Sequence, residues 1–141
     1  MIRNLTKMKI VSEAPFSALS FRDRLRGMIG RKFSSFDAMI FPRCGSVHTF
    51  FMTIPLDLVF LSGEGRVLKT VSGARPWRPC FRCAGAKTVV ELPEGALARS
   101  ETAPGDRFDL NMEPDKETKK VWDGIYGKNE VENIAVSLGE K

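Results

Sequence analysis

Leu56-Asp57-Leu58-Val59-Phe60-Leu61, then Ser62-Gly63-Glu64-Gly65, then Arg66-Val67-Leu68-Lys69-Thr70-Val71, is the stretch that decides the fold class of this chain. Two runs rich in β-branched and aliphatic residues, joined by a short glycine-rich turn, spell a β-hairpin. On its N-terminal side, Ala38-Met39-Ile40-Phe41-Pro42 reads as a short buried strand. Val47-His48-Thr49-Phe50-Phe51-Met52-Thr53 reads as a further strand by its aromatic and β-branched content. On its C-terminal side, Lys87 to Leu92 and Arg107 to Leu110 are strand candidates, closed or preceded by the turns Pro93-Glu94-Gly95 and Pro104-Gly105-Asp106.

Working outward, residues 5–11 alternate apolar and polar and predict a first strand, which Pro15 ends because it has no N–H for a ladder. Residues 18–29 predict a helix: Phe21, Leu25 and Met28 or Ile29 fall on one face, Ser17 or Ser20 caps the start, and Gly30 ends it. Residues 72–86 read as a loop carrying Trp77 and two cysteines. Many short strands with frequent turns predict a mainly β domain, a compact β-sandwich or barrel with one or two short helices. By element count, α+β is the fallback. The expected division is one β-rich domain over residues 1–113 and an acidic extension over 114–141. A short helix from Asp115 to Trp122, opened by Pro114, is expected in that extension.

The chain has 141 residues and a net charge of +5, unevenly distributed. Residues 1–90 carry 15 Lys/Arg against 5 Asp/Glu, and residues 91–141 carry 7 against 12. A basic body of this kind suits a polyanion, an acidic partner or its own acidic end, and it also fits an ordinary solvated surface. Three cysteines leave at least one without a partner in the chain, which favours a reducing, cytoplasmic setting. No apolar run approaches the roughly 18 residues of a membrane span. The N-terminus lacks the continuous apolar stretch of a signal peptide, although an exported form with its signal removed is left open.

Three constellations are candidates for chemistry. Cys44, His48, Cys80 and Cys83 form a Cys-x3-His and a Cys-x2-Cys pair, the ligand types of a closed structural zinc site. The alternatives are free thiols with a hydrogen-bonded histidine, or a Cys80–Cys83 disulfide. Between the two prolines and beyond, Arg75-Pro76-Trp77-Arg78-Pro79-Cys80-Phe81-Arg82 interleaves three guanidinium groups with two aromatic rings. Such a loop stacks on rings and pairs with phosphates or carboxylates, or else plugs one end of the core. Asp57 and Glu91, flanked by apolar residues, are a potential buried acid pair, with Arg24 or Arg26 as structural partners instead. His48 with Cys44 is a conceivable nucleophile pair, but four residues of strand separate them by about 13 Å, so a bend near Gly45 is required.

The order of several motifs resembles a known family. Arg22-Asp23-Arg24-Leu25-Arg26-Gly27-Met28-Ile29-Gly30-Arg31 is similar to that family's Arg-x-x-Gly-Leu-Met helix end, with Ile29 a departure. Ala38-Met39-Ile40-Phe41-Pro42 is similar to its Gly-Met-Leu-Phe strand, with Ala38 in the glycine place. His48 to Met52, Pro55 to Leu61, Pro76-Trp77-Arg78, Val90 to Gly95, and Gly105-Asp106 complete the pattern. Together they resemble the family catalogued as domain of unknown function 192, over about residues 5–112. The resemblance implies a compact β-sandwich or barrel and brings no established activity. Function therefore stays with the residues.

The first expectation is a non-catalytic binding or accessory domain with a rim pocket at His48, Met52, Trp77 and Arg78, with Asp57 and Glu91 as further pocket candidates. Its ligand would be acidic or anionic and held at Arg75, Trp77, Arg78 and Arg82, without a cofactor. The alternatives are a zinc-stabilised protein using Cys44, His48, Cys80 and Cys83, and a small hydrolase-like enzyme using Asp57, Glu91 or His48. Nucleic-acid binding is the weakest of these readings.

Overall fold

The computed structural model describes residues 1–18 and 33–110. The expected helix at 18–29, with Arg24 and Arg26, and the expected extension at 114–141 lie outside the described residues, Ala18 excepted.

The strands are β1 (Ile2–Asn4), β2 (Lys9–Ser12), β3 (Pro15–Ser17), β4 (Ala38–Pro42), β5 (Ser46–Val47), β6 (Leu56–Leu61), β7 (Val67–Ala74), β8 (Phe81–Arg82), β9 (Thr88–Pro93) and β10 (Phe108–Asp109). One short helix, α1 (Ala96–Ser100), is present among the described residues. A five-stranded sheet runs β3-β4-β9-β6-β7, a three-stranded sheet runs β10-β1-β2, and β5 pairs with β8 in a small ribbon. The architecture is sandwich-like. The five-stranded sheet stays open, with β3 and β7 at its edges, so the barrel alternative does not hold.

Both faces of the five-stranded sheet are buried, which is why β4 and β6 read as continuous apolar runs rather than alternating ones. One face presents Ile40, Val59, Leu61, Val90 and Leu92 to the small sheet and α1, through Ile2, Val11, Leu97 and Phe108. The other face presents Met39, Leu56, Leu58, Phe60 and Val89 to Met52, and the ribbon residues Val47 and Phe81 pack against it.

The central hairpin forms as expected, with Leu58 opposite Val71 and Phe60 opposite Lys69. Its turn also ties the two sheets together. Phe108 N–H donates to Gly65 O at 2.8 Å, and a Cβ on Gly65 would lie 2.7 Å from Phe108 O. At a φ of 79°, only glycine fits this approach without strain.

Four local expectations are corrected. The alternating stretch 5–11 is not one strand: residues 5–8 turn between β1 and β2, with Met8 in the left-handed region at φ 55°. Pro15 begins a strand instead of stopping one. β3 is an edge strand parallel to β4, and its first residue needs no ladder donor. The strand expected at 47–53 ends at Val47, and a turn carrying Phe50 and Phe51 follows. The loop expected at 72–86 contains strand, since β7 continues to Ala74 and β8 lies within it.

Candidate functional site

Thr49 is fully buried and fastens two segments that are distant in sequence. Its N–H donates to Arg78 O at 3.0 Å, and its carbonyl accepts from Trp77 N–H at 2.7 Å. Its hydroxyl donates to Arg75 O at 2.7 Å and accepts from Arg78 N–H at 2.9 Å. One side chain and its peptide groups thus fix Arg75, Trp77 and Arg78. The tryptophan loop is thereby held to Thr49, the residue that follows His48.

This clasp sustains an unusual backbone. Phe51 and Trp77 both adopt left-handed conformations, at φ 59° and 64°. For residues with a Cβ this costs about 1–2 kcal/mol each. Their rings meet edge to face, with centroids 4.9 Å apart, yet Phe51 is 60% and Trp77 59% exposed. Strain of this kind persists only where neighbours over-determine it, and it concentrates at binding sites. Phe50 is also exposed and leans on the His48 ring at 5.5 Å. His48, an exposed residue, accepts from Phe50 N–H at its Nδ1 at 3.2 Å. Arg75 and Arg78, two residues before Trp77 and one after it, are exposed, as is Arg82 on β8.

Met52 does not line this rim. It is buried against the second face of the sheet and forms the floor beneath the aromatic turn.

Asp57 and Glu91 are not a pair. Asp57 lies opposite Leu92, and Leu58 lies opposite Glu91. Since cross-strand partners share a face, the two carboxyls project to opposite sides of the sheet. Asp57 faces α1 and is fully occupied. Its Oδ1 accepts from Gly73 N–H at 2.9 Å, and its Oδ2 accepts from Gly95 and Leu97 N–H at 3.0 Å each. It caps the helix from 38 residues upstream, so its role is structural. Glu91 faces the other way, 3% exposed, between Met39 and Leu58. Its Oε2 has no hydrogen-bond partner, alone in this among buried side-chain N and O atoms of the described residues. Burial pushes its carboxyl up to about 8. With Asp57 engaged by backbone, Glu91 beneath the floor and His48 at the rim, the three residues of the hydrolase reading do not converge.

The four zinc-ligand candidates are brought alongside one another but not together. Ser46 pairs with Arg82 and Val47 with Phe81, and Cys83 N–H donates to Gly45 O. Extending this register sets His48 opposite Cys80 and Gly45 opposite Cys83, three residues or roughly 10 Å apart along the ribbon. Cys44 Sγ donates to Ser46 O at 3.0 Å and Cys83 Sγ to Ala84 O at 3.6 Å. Among the described residues, no three His, Cys, Asp or Glu side chains are gathered to hold a metal. All three cysteines are free.

Sequence reasoning missed Thr49 and Phe51 as site residues, because their roles depend on contacts with residues 75–78. No local signal marks them.

The family profile of DUF192, described as an uncharacterized ACR, matches residues 7–110, which include every residue of the rim. The chain belongs to the DUF192 family. Among DUF192-type relatives, the UPF0127 protein of Thermococcus sibiricus is 31% identical over 121 residues, 82% of this chain and 78% of that one. A UPF0127 protein of Pyrococcus furiosus is 30% identical over 112 residues, covering 77% and 96% respectively. A crystal structure of a protein of unknown function from Novosphingobium aromaticivorans is similar with a TM-score of 0.60 at 25% identity, over 68% of this chain and 74% of that one. These relatives carry no assigned activity, so membership in DUF192 establishes the fold and leaves the function to the site. No helix among the described residues is long and apolar enough to cross a membrane.

Proposed function

We propose that this chain is a non-catalytic binding domain. Its rim captures an anionic ligand that carries a flat or apolar ring. The observation that carries this reading is the Phe51–Trp77 pair, strained, exposed and flanked by guanidinium groups. A fold that only needed to close this end would bury these rings. Here about 60% of each is left in water while the backbone beneath them is locked by Thr49. A ring laid on Trp77 gains stacking area, and Arg75 and Arg78 supply charge-assisted donors for a carboxylate or phosphate. The loop is pre-ordered, so little conformational freedom is lost on binding. Arg82, on the exposed side of β8, extends the positive field toward the same ligand. The three free thiols, with Cys80 exposed, support a reducing, cytoplasmic setting for this role.

A thermal-shift screen of ring-bearing carboxylates and phosphates tests the proposal with the native chain and the Trp77→Ala/Arg78→Ala double variant. Stabilising compounds are expected for the native chain and none for the variant, with matching circular dichroism showing that both are folded. Identical hits for the two would overturn it.

A further inference from the structure

Glu91 is the one buried side chain among the described residues that presents an unpartnered oxygen, and its place in the sheet connects it to the rim. The turn that carries Phe50, Phe51 and Met52 leads into β6 at Leu56, and the Arg75–Trp77 segment leaves β7 at Ala74. Leu56 is the register partner of both Ala74 and Pro93. The rim therefore stands over the Leu56–Ala74–Pro93 end of the sheet. Glu91 is two residues from Pro93, about 7 Å along β9, and projects from the face that Met52 covers. Its flanking strands offer only Met39 and Leu58 at its level. Lys69 lies farther along the same face, its Nζ over the Phe60 ring and bonded to Arg82 O. The chain satisfies Asp57 with three backbone donors on the opposite face, so leaving Glu91 Oε2 without a partner is not a general tolerance of this sheet.

We propose that Glu91 is the inner contact of the rim site and receives a cationic N–H donor, so that the ligand is a ring-bearing zwitterion. Its anionic end lies at Arg75 and Arg78, its ring lies against Phe51 and Trp77, and its ammonium group meets the Glu91 carboxyl beneath Met52. This rests on the proposed rim reading and names the ligand class that reading leaves open. Met52 is the moving part: an unbranched thioether side chain changes rotamer at little cost and can swing aside to admit the donor. An ammonium group arriving beside a buried protonated carboxyl favours the carboxylate, so binding releases the Glu91 proton to solvent.

L-phenylalanine and 3-phenylpropionate differ only in the ammonium group and serve as probes. Titration calorimetry of the full chain at pH 7, in two buffers of different ionisation enthalpy, reads affinity and proton release together. The native chain is expected to bind L-phenylalanine at least tenfold more tightly than 3-phenylpropionate, with close to one proton released for the former and none for the latter. Glu91→Leu is expected to bring the two affinities within twofold and abolish the proton release. Glu91→Gln, a near-isostere that keeps the packing, gives the same outcome if the leucine variant folds poorly. Equal affinities in the native chain, or a tenfold preference that survives in both Glu91 variants, overturn the inference and leave the rim reading standing. If Trp77→Ala/Arg78→Ala binds both probes unchanged, the rim reading falls and this inference, which rests on it, falls with it. If neither probe binds the native chain, the inference is overturned.

Discussion

Glu91 makes the stability of this protein depend on pH in an unusual direction. Its carboxyl is raised by burial from an ordinary 4.5 to about 8. Between those values the folded chain holds a proton that the unfolded chain has released. Stability is then fully present below pH 4.5 and is lost as pH rises through 8, at about 1.36 kcal/mol per pH unit. From pH 5 to pH 8 the loss attributable to this one group is roughly 4 kcal/mol, a large part of the 5–15 kcal/mol typical of a domain. Water does little to screen this carboxyl, because the side chain is 3% exposed. The three carboxyls with lowered values act in the opposite sense and outside this window. For Asp37 and Asp106, burial alone would raise the carboxyl. Hydrogen bonds overcome it, from the Ser12 hydroxyl and the Glu13 and Ala14 N–H groups in the first case, and from Asn4, Ala103 N–H and Lys7 in the second. Glu101 is lowered by Lys9 at the surface. Their contributions are present above the unfolded values near 4 and are lost only at more acid pH.

The assay is urea unfolding of the native chain and Glu91→Gln at half-unit steps from pH 5 to pH 8. The amide is neutral throughout and nearly isosteric, so the difference between the two free energies isolates the titration and cancels groups elsewhere. That difference is expected to move in favour of the variant by about 4 kcal/mol across the range, seen as a relative melting-temperature gain on the order of 15 °C at pH 8. A difference that stays flat from pH 5 to pH 8 would refute the reasoning, since it would mean that the carboxyl has a partner or water in solution.

Asp57→Ala should be among the most damaging single changes. It strands the N–H groups of Gly73, Gly95 and Leu97, and urea unfolding should show a loss of about 3–5 kcal/mol. Thr49→Val keeps the backbone clasp but removes both hydroxyl bonds. It should cost about 1–2 kcal/mol and make the Arg75–Arg78 segment a new site of limited proteolysis. Trp77→Gly should cost less than about 1 kcal/mol, against 3–5 for deleting a buried aromatic, because relief of the left-handed strain offsets the lost ring contact. Ligand capture should vanish in the same variant. A chelator should leave the melting temperature of metal-free purified protein unchanged, and elemental analysis should find no stoichiometric zinc, because the four candidate donors are spread along a ribbon.

Much of the fold is legible because hydrophobic pattern and turn chemistry act locally. Leu56 to Val71 states its hairpin through two apolar runs and a glycine turn, and Ala38 to Pro42 states its strand with no polar residue to interrupt it. Three kinds of feature escape this reading. Residues 5–11 alternate as a strand should, but nothing nearby reveals that Met8 accepts a left-handed turn. Helix α1 is five residues long, too short to show a helical period, and its cap is Asp57. Phe50 and Phe51 have the composition of a strand and form a turn instead, because Thr49 is claimed by residues 75–78. The arginine–tryptophan loop could be named from its residues alone. That it stands beside His48 followed from supposing the core closes, whereas the actual cause is one buried threonine.

The two acids show why burial alone does not identify a functional group. Asp57 and Glu91 occupy adjoining strands of one sheet and are equally hidden, at 1% and 3% exposure. Asp57 sits where a hairpin glycine and a helix start converge, and their N–H groups would be unsatisfied without it. Its carboxyl is required by the fold, and removing it should cost stability first. Among the described residues Glu91 answers no such need, since its cross-strand partners Met39 and Leu58 carry no polar side chain. A leucine there would pack as well and remove the pH penalty. A carboxyl whose removal should stabilise the native chain, lying on the face beneath an exposed and strained aromatic pair, is better explained by what it receives than by what it holds together. The native chain thus trades stability for a polar contact on one face of its sheet and gains stability from the other.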